Sequence, residues 1–210
     1  MRVLVVERER GGGAGAAAQL QREGHEVVRC DDADQTVERP CAGLPGGSGC
    51  PLDHRSIDLA LAVRGDGGGP TTERETGVRC ALRQQVPLMV LGSSSGASYA
   101  DWVDEVVDMD VDALDERVTA LARAGLASTA SIVAGAIRPL LAEHGIESSA
   151  IDVELARDDG RMRIRIGVDA AIDAKLRQTC AVRAVAALRE SQPSTDGLDV
   201  EVVGADDLLD

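Results

Sequence analysis

The first half of the chain alternates between short apolar runs and segments that suit amphipathic helices. Apolar runs of this length are typical of buried parallel strands. Strands are predicted at residues 2–7, 25–30, 57–63, 87–91 and 105–107, and helices at 14–23, 73–85 and 112–124. Strands that alternate with helices indicate parallel βαβ units. We therefore expect one α/β domain over residues 1–124, built on a doubly wound parallel sheet.

Two segments interrupt this pattern. Residues 31–56 contain three prolines and four glycines, which predicts a long loop inserted into the domain. Residues 125–131 (GLASTAS) are small and polar, as in a linker between domains.

The second half of the chain has a different order of elements. A helical stripe begins at Ile132, with Pro139 expected to kink it. Residues 151–156 and 161–168 flank a turn, and the second arm alternates strictly between apolar residues and arginines, as in a hairpin with one buried face. A helix at 171–190 and a strand at 198–203 follow. This order predicts an αββαβ domain over residues 132–204, followed by an acidic tail at 205–210.

Charge and composition exclude several classes of partner. The net charge of −14 opposes binding to phosphate backbones, and one Tyr with one Trp cannot form a base-stacking platform. We also see no run of about 18 apolar residues for a membrane span. MRVLVVE begins as a strand rather than a leader, so we expect a cytoplasmic protein with reduced cysteines. Arginine in place of lysine, with Lys175 as the exception, is typical of a high-GC bacterial genome.

The strings VLVVE, GHEVVRC, DLALAV, PLMVL and DVDALDERV follow one another in the first half. In this order they resemble a bacterial response-regulator receiver domain, which implies a flavodoxin-like fold. The receiver's acid pair for Mg²⁺ corresponds to Glu7 and Arg8, its phosphoacceptor aspartate to Val63, its hydroxyl residue to Gly92 and its lysine to Val107. Four of these positions depart from the family pattern. The resemblance thus implies a pseudo-receiver without catalytic residues, resident metal or cofactor, which acts through protein partners.

The second half resembles the alkaline-shock-protein family of bacterial stress proteins. RMRIRIGVDAAID, the long helix after it and LDVEVV carry this resemblance, over residues 130–204. The same pattern also fits a general α+β dimerisation module. Expected contact surfaces for a partner or a homodimer are the helix at 112–124 and an open edge of the second sheet.

The cysteines support an alternative function. Cys41 and Cys50 lie in the glycine-rich insertion, with Cys30 and His54 near them in the sequence. Thiolates and imidazole bind zinc, and a flexible loop can bring two thiols together, so a redox or metal sensor is the competing hypothesis. The spacing differs from the paired C-x2-4-C pattern of zinc ribbons. In the simpler interpretation Cys30, Cys80 and Cys180 are small core residues and the loop cysteines have no role.

Other clusters are weaker candidates for chemistry. Gly11–Gly13 precede a helix but match neither phosphate-loop pattern, and two carboxylates, Glu7 and Glu9, come just before them. The run GSSSG falls short of a hydrolase nucleophile motif. Arg161, Arg163 and Arg165 are expected to pair with acids on neighbouring strands.

Overall fold

A computed structural model of the chain describes residues 1–30, 50–54, 57–109, 113–146, 151–158, 161–191 and 197–204, with the side chains of 53, 54, 157 and 158 left aside. The chain forms two compact units, Met1–Gly125 and Leu126–Asp210. The predicted tail at 205–210 lies outside the described residues, as does most of the insertion.

The first unit contains a five-stranded parallel sheet. Its strands are β1 (Arg2–Glu7), β2 (Glu26–Arg29), β3 (Leu59–Gly65), β4 (Leu88–Gly92) and β5 (Glu105–Val107). The strand order is β2-β1-β3-β4-β5, with every neighbouring pair parallel. This is the flavodoxin-like order of doubly wound folds. The predicted fold class is confirmed.

Helices cover both faces of this sheet because the strands are apolar on both sides. The helical elements are α1 (Ala14–Arg22), α2 (Pro51–His54), α3 (Thr76–Arg83) and the start of α4 (Leu114–Glu143), with 3-10 turns at Glu73–Glu75 and Ala100–Trp102. Leu20 of α1 and Val118 of α4 pack on one face, and Val78 of α3 with Tyr99 on the other. Helix α1 ends before Gly24, whose φ of 87° suits a glycine stop.

Two sequence predictions are wrong in detail. Part of the predicted loop at 31–56 is the helical turn α2, which begins at Pro51, where a missing N–H costs nothing. The predicted linker at 125–131 is helical and lies inside α4. A Cβ atom on Gly125 would lie 2.7 Å from Cγ of Pro87, so this glycine permits close packing rather than flexibility. The alanines and leucine of the segment favour helix.

Helix α4 therefore joins the two helices that the sequence pattern placed on either side of a linker. Pro139 lies within it. Pro139 and Gly135 are both exposed, so water can reach the Gly135 carbonyl that the proline leaves without an N–H partner.

Helix α4 is also long and apolar enough to cross a membrane by length and composition, with a mean hydropathy of 1.4 over its most apolar stretch. The sequence predicts no run of about 18 apolar residues, whereas this helix meets a different criterion, that of length and mean hydropathy. The most apolar stretch is 22% buried within the protein, and Val118, Val133, Ile137 and Leu141 of α4 are fully buried in the two cores.

The second unit contains a three-stranded sheet with helices on one face. Its elements are β6 (Ile151–Asp158), β7 (Arg161–Val168), α5 (Ala174–Ser191) and β8 (Leu198–Gly204), preceded by the end of α4. Strand β6 pairs antiparallel and β8 parallel with the central strand β7. Met162, Ile164 and Ile166 pack against α4 and α5, while Arg161 and Arg163 are exposed. The predicted order of helices and strands in this half is confirmed.

Candidate functional site

The carboxyl edge of the first sheet brings together the positions that the sequence analysis singled out. In the register of the sheet, Glu7 lies opposite Val63, Val63 opposite Leu91, and Leu91 opposite Val107. Gly92 pairs with Gly65 after a bulge in β3. The carboxyl ends of parallel strands are the usual place for a ligand in such folds. This edge is therefore the candidate functional site.

Two of these positions are filled by apolar side chains. Val63 and Val107 are buried in the core beneath α1 and α4. Neither side chain can accept a phosphoryl group or donate a proton. The centre of the edge thus continues the hydrophobic core instead of presenting polar groups.

Glu7 is the one carboxylate among the five positions, and both of its oxygens are engaged. Oε2 accepts a hydrogen bond from the Gly11 N–H at 2.6 Å, and Oε1 lies 2.9 Å from Nη1 of Arg29. A Cβ atom on Gly13 would lie 3.1 Å from Cγ of Glu7, so glycine lets the loop close over the carboxylate. Glu7 is a buried, paired acid.

Arg8 extends the ladder beyond the end of β1. Its N–H donates to the Val63 carbonyl at 3.0 Å, and its own carbonyl accepts a hydrogen bond from the Thr72 hydroxyl. Its guanidinium lies against Gly69, where a Cβ atom would come within 2.6 Å of Nη2. A cation therefore occupies the place where the receiver resemblance implies a second metal-binding acid.

Gly92, at the position of the receiver's hydroxyl residue, has a φ of 97°. A Cβ atom there would lie 2.3 Å from the carbonyl oxygen of Gly65. Only glycine fits this backbone without displacing the bulge in β3.

The site also contains a buried charged network that the sequence analysis missed. Arg64 and Glu75 are both fully buried, with 2.9 Å between Nε and Oε1. The Tyr99 hydroxyl donates to the same Oε1 at 2.5 Å, and Arg64 lies 5.7 Å from the centre of the Tyr99 ring. The Arg64 guanidinium also donates to the Gly69 carbonyl at 2.6 Å. We call these three side chains the Arg64 network.

The Arg64 network fixes the loops that follow β3 and β4. Glu75 accepts a hydrogen bond from the Thr72 N–H at 2.7 Å as part of a capping box, while Arg64 reaches the Ser93 carbonyl beyond β4. Burial, the hydrogen bond to Glu75 and the negative charge of Glu75 raise the pKa of the Tyr99 hydroxyl far above its usual value. Tyr99 is thus held neutral as a hydrogen-bond donor.

The structure places the predicted cysteine site only in part. Cys30 is buried in the core beneath α3, and Cys50 and Cys80 are partly buried against the same core. Cys41 and the side chain of His54 lie outside the described residues. Among the side chains that the structure does describe, no three of His, Cys, Asp or Glu are grouped to hold a metal. In the second unit, burial raises the pKa of the Cys180 thiol, as expected for a core residue.

The arginines of β7 lie opposite acids, in agreement with the expected cross-strand pairs. Arg165 is in register with Glu154 on one side and Glu201 on the other. Arg163 is in register with Asp199, with 3.9 Å between Nε and Oδ2. Arg163, Asp199, Glu154 and Glu201 are exposed on this face, whereas Arg165 is half-buried.

Comparison with solved structures finds three matching chains, one of which is a receiver domain. This match is the receiver domain of the hybrid histidine kinase CckA, which is 22% identical to this chain with a TM-score of 0.35. The match covers 58% of this chain and 99% of the receiver domain. No protein-family model and no curated protein matches the chain. The strand order and the helices on both faces of the sheet define the fold.

Proposed function

We propose that this protein is a non-enzymatic regulatory or scaffold protein, whose receiver-like first unit acts through protein contacts and does not accept a phosphoryl group. The observation that carries the proposal is the buried Val63 at the centre of the carboxyl edge. Beside it, Glu7 is paired with Arg29, and Arg8 contributes a positive charge. Receiver-type phosphotransfer needs an open cluster of carboxylates that holds a divalent cation. The resemblances favour a cytoplasmic setting in a bacterial regulatory or stress pathway.

Two surfaces offer contacts to a partner or to a second copy of the chain. Helix α4 buries Leu114 and Val118 and exposes Glu116 and Arg117 on its other side. In the described part of the second unit, β6 and β8 each pair only with β7, so each has an open edge for an added strand.

Treatment with acetyl phosphate and Mg²⁺, followed by intact-mass measurement, tests the absence of phosphotransfer. We expect no stoichiometric mass gain, while a receiver with an intact acid cluster, treated in parallel, gains one phosphoryl group. A stoichiometric gain on an acid of the first unit would overturn the proposal. Sedimentation of the untreated protein reports whether it forms a homodimer.

A cysteine-based redox or metal sensor is the second candidate function. It is supported by the convergence of Cys30, Cys50 and Cys80 on one core, next to the insertion that contains Cys41. Mass spectrometry of the protein, native and after alkylation, separates this function from the first. Bound metal, or a Cys41–Cys50 disulfide that changes the oligomeric state, would favour the sensor, whereas free thiols without metal would end that hypothesis.

A further inference from the structure

The first unit has a cavity that the proposed function does not use. It measures about 620 Å³ and lies between α3 and the 3-10 turn Ala100–Trp102. We call it the Trp102 groove. Its lining residues are Arg79, Leu82, Arg83, Ser98, Tyr99 and Trp102.

Trp102 is 62% exposed although it is the only tryptophan of the chain. The 3-10 turn that carries it spans three residues, too few to cover the end of the sheet. Val107 of β5 faces the core beneath α4, so by strand alternation Val106 faces the side of α3, and it is 49% exposed. The apolar surface on this side of the first unit is thus incompletely covered.

Two positive charges border this apolar surface. Arg79 and Arg83 are exposed and lie one turn apart on α3, so both guanidinium groups line the same groove. Within the part of the chain that the structure describes, neither has a carboxylate partner, whereas Arg29, Arg64 and Arg117 each pair with a glutamate.

The acids that the structure describes near the Trp102 groove do not neutralise these arginines. Asp101 precedes Trp102 but does not line the cavity. The carboxylate of Asp104 accepts a hydrogen bond from the Leu88 N–H at 2.7 Å, and Glu105 pairs with Arg117. Among the described residues, no acid neutralises the two positive charges of the groove, in a protein whose net charge is −14.

We infer that the Trp102 groove binds an acidic, amphipathic segment of a partner protein. Two carboxylates of the segment bind Arg79 and Arg83, and an apolar side chain between them packs against Leu82 and Trp102. Tryptophan, tyrosine and arginine are the residues that contribute most to protein interfaces. Paired arginines favour carboxylates because of their planar, bidentate hydrogen bonding. The inference rests on the proposed protein-binding function and names the chemistry of its partner.

An array of short peptides, probed with the full-length protein, tests this inference. Each peptide has two acidic residues, one on each side of a Leu or Ile. A control set replaces Asp with Asn and Glu with Gln. Peptides that bind are then measured in solution by the emission of Trp102, which reports contact with the groove directly because the chain has no other tryptophan. Anisotropy of labelled peptides gives the affinities of the variants.

We expect saturable binding of acidic peptides that shifts Trp102 emission and weakens as salt is added. The double variant Arg79→Glu with Arg83→Glu should bind roughly tenfold or more weakly. The matched control, Arg183→Glu with Arg189→Glu, changes the net charge equally at two exposed positions of α5 and should bind as the unmodified protein does. Circular dichroism of both variants checks that they fold.

Three results would overturn the inference: binding that Arg79→Glu with Arg83→Glu leaves unchanged, equal binding of the neutral control peptides, or no binding by any acidic peptide. A self-association that the same double variant abolishes would also overturn it, because the occupant would then be a second copy of the chain. The acetyl phosphate experiment is independent of these results. If the groove binds no acidic peptide and the protein gains no phosphoryl group, this inference alone is refuted. A phosphoryl gain refutes the proposed function.

Discussion

Each unit of this protein places an arginine of a β-strand beside a carboxylate, yet the two pairs differ in their surroundings. The side chains of Arg64 and Glu75 in the first unit are 0% exposed, whereas those of Arg163 and Asp199 in the second are 61% and 69% exposed. The separating distances are 2.9 Å and 3.9 Å. Water screens the exposed pair, while the buried pair has only protein groups to compensate its charges. The burial of an ion pair therefore decides how much the free energy of unfolding changes when one partner is removed.

The buried pair is also one part of a larger set of hydrogen bonds. Glu75 accepts from the Tyr99 hydroxyl and the Thr72 N–H, and Arg64 donates to the Gly69 carbonyl. Removal of one charge thus leaves several groups without a partner at once. Three mutational experiments test this contrast.

The largest effect is expected from Glu75→Gln, which preserves shape and leaves the buried Arg64 without a counter-charge. The free energy of unfolding should fall by about 3–5 kcal/mol, measured by urea denaturation. Glu73→Gln is the matched control, because Glu73 lies on the same 3-10 turn and is exposed. A similar loss in both variants would refute the conclusion that the Arg64 network contributes strongly to the free energy of unfolding.

A smaller effect is expected from Tyr99→Phe, which removes one hydrogen bond to Glu75. The loss should be about 1–3 kcal/mol at neutral pH. Because the pKa of Tyr99 is raised in the folded state, unmodified protein should lose stability as pH rises above the ordinary tyrosine value of 10.0, where the unfolded chain ionises first. The variant lacks this part of the alkaline loss.

Phenolate absorbance measures the same property directly. The chain has one tyrosine, so an alkaline titration followed in the ultraviolet reports Tyr99 alone. We expect phenolate to appear only as the protein unfolds. Ionisation of the folded protein near the ordinary pKa would contradict the buried hydrogen bond.

The smallest effect is expected in the second unit. In a double-mutant cycle of Arg163→Ala and Asp199→Ala, the coupling energy should be about 0–1 kcal/mol and should decrease as salt is added. A coupling as large as the loss in Glu75→Gln would remove the contrast between the two pairs.

The periodicity of the sequence predicted the elements that depend on local pattern. The strict alternation of Met162, Ile164 and Ile166 with arginines led to the correct bounds of β7, and the apolar runs located every strand of the first sheet within two residues or so of its ends. The pattern failed at residues 125–131. The small residues there predict a flexible linker, but Gly125 instead allows α4 to pack closely on Pro87. The two residues are far apart along the chain, so the sequence pattern gives no sign of this contact.

The candidate site was predictable to a similar degree. The position of each strand end placed Glu7, Val63, Gly92 and Val107 at one edge. The partners of Arg64 were not predictable, because Glu75 and Tyr99 reach it through tertiary packing. One signal was available: Arg64 is a charged residue in the otherwise apolar run LALAVRG, and a buried charge requires a partner.

Gly92 has a consequence for how this edge of the sheet can change by mutation. Any side chain at that position meets the Gly65 carbonyl, so a hydroxyl residue can be added there only after the bulge in β3 has been rebuilt. An aspartate at position 63 alone would be in register with Leu91, and the residue after Leu91 would still be a glycine without a hydroxyl. A change in the bulge of β3 must therefore precede a hydroxyl residue at position 92. Neither that change nor an aspartate at position 63 restores phosphotransfer by itself.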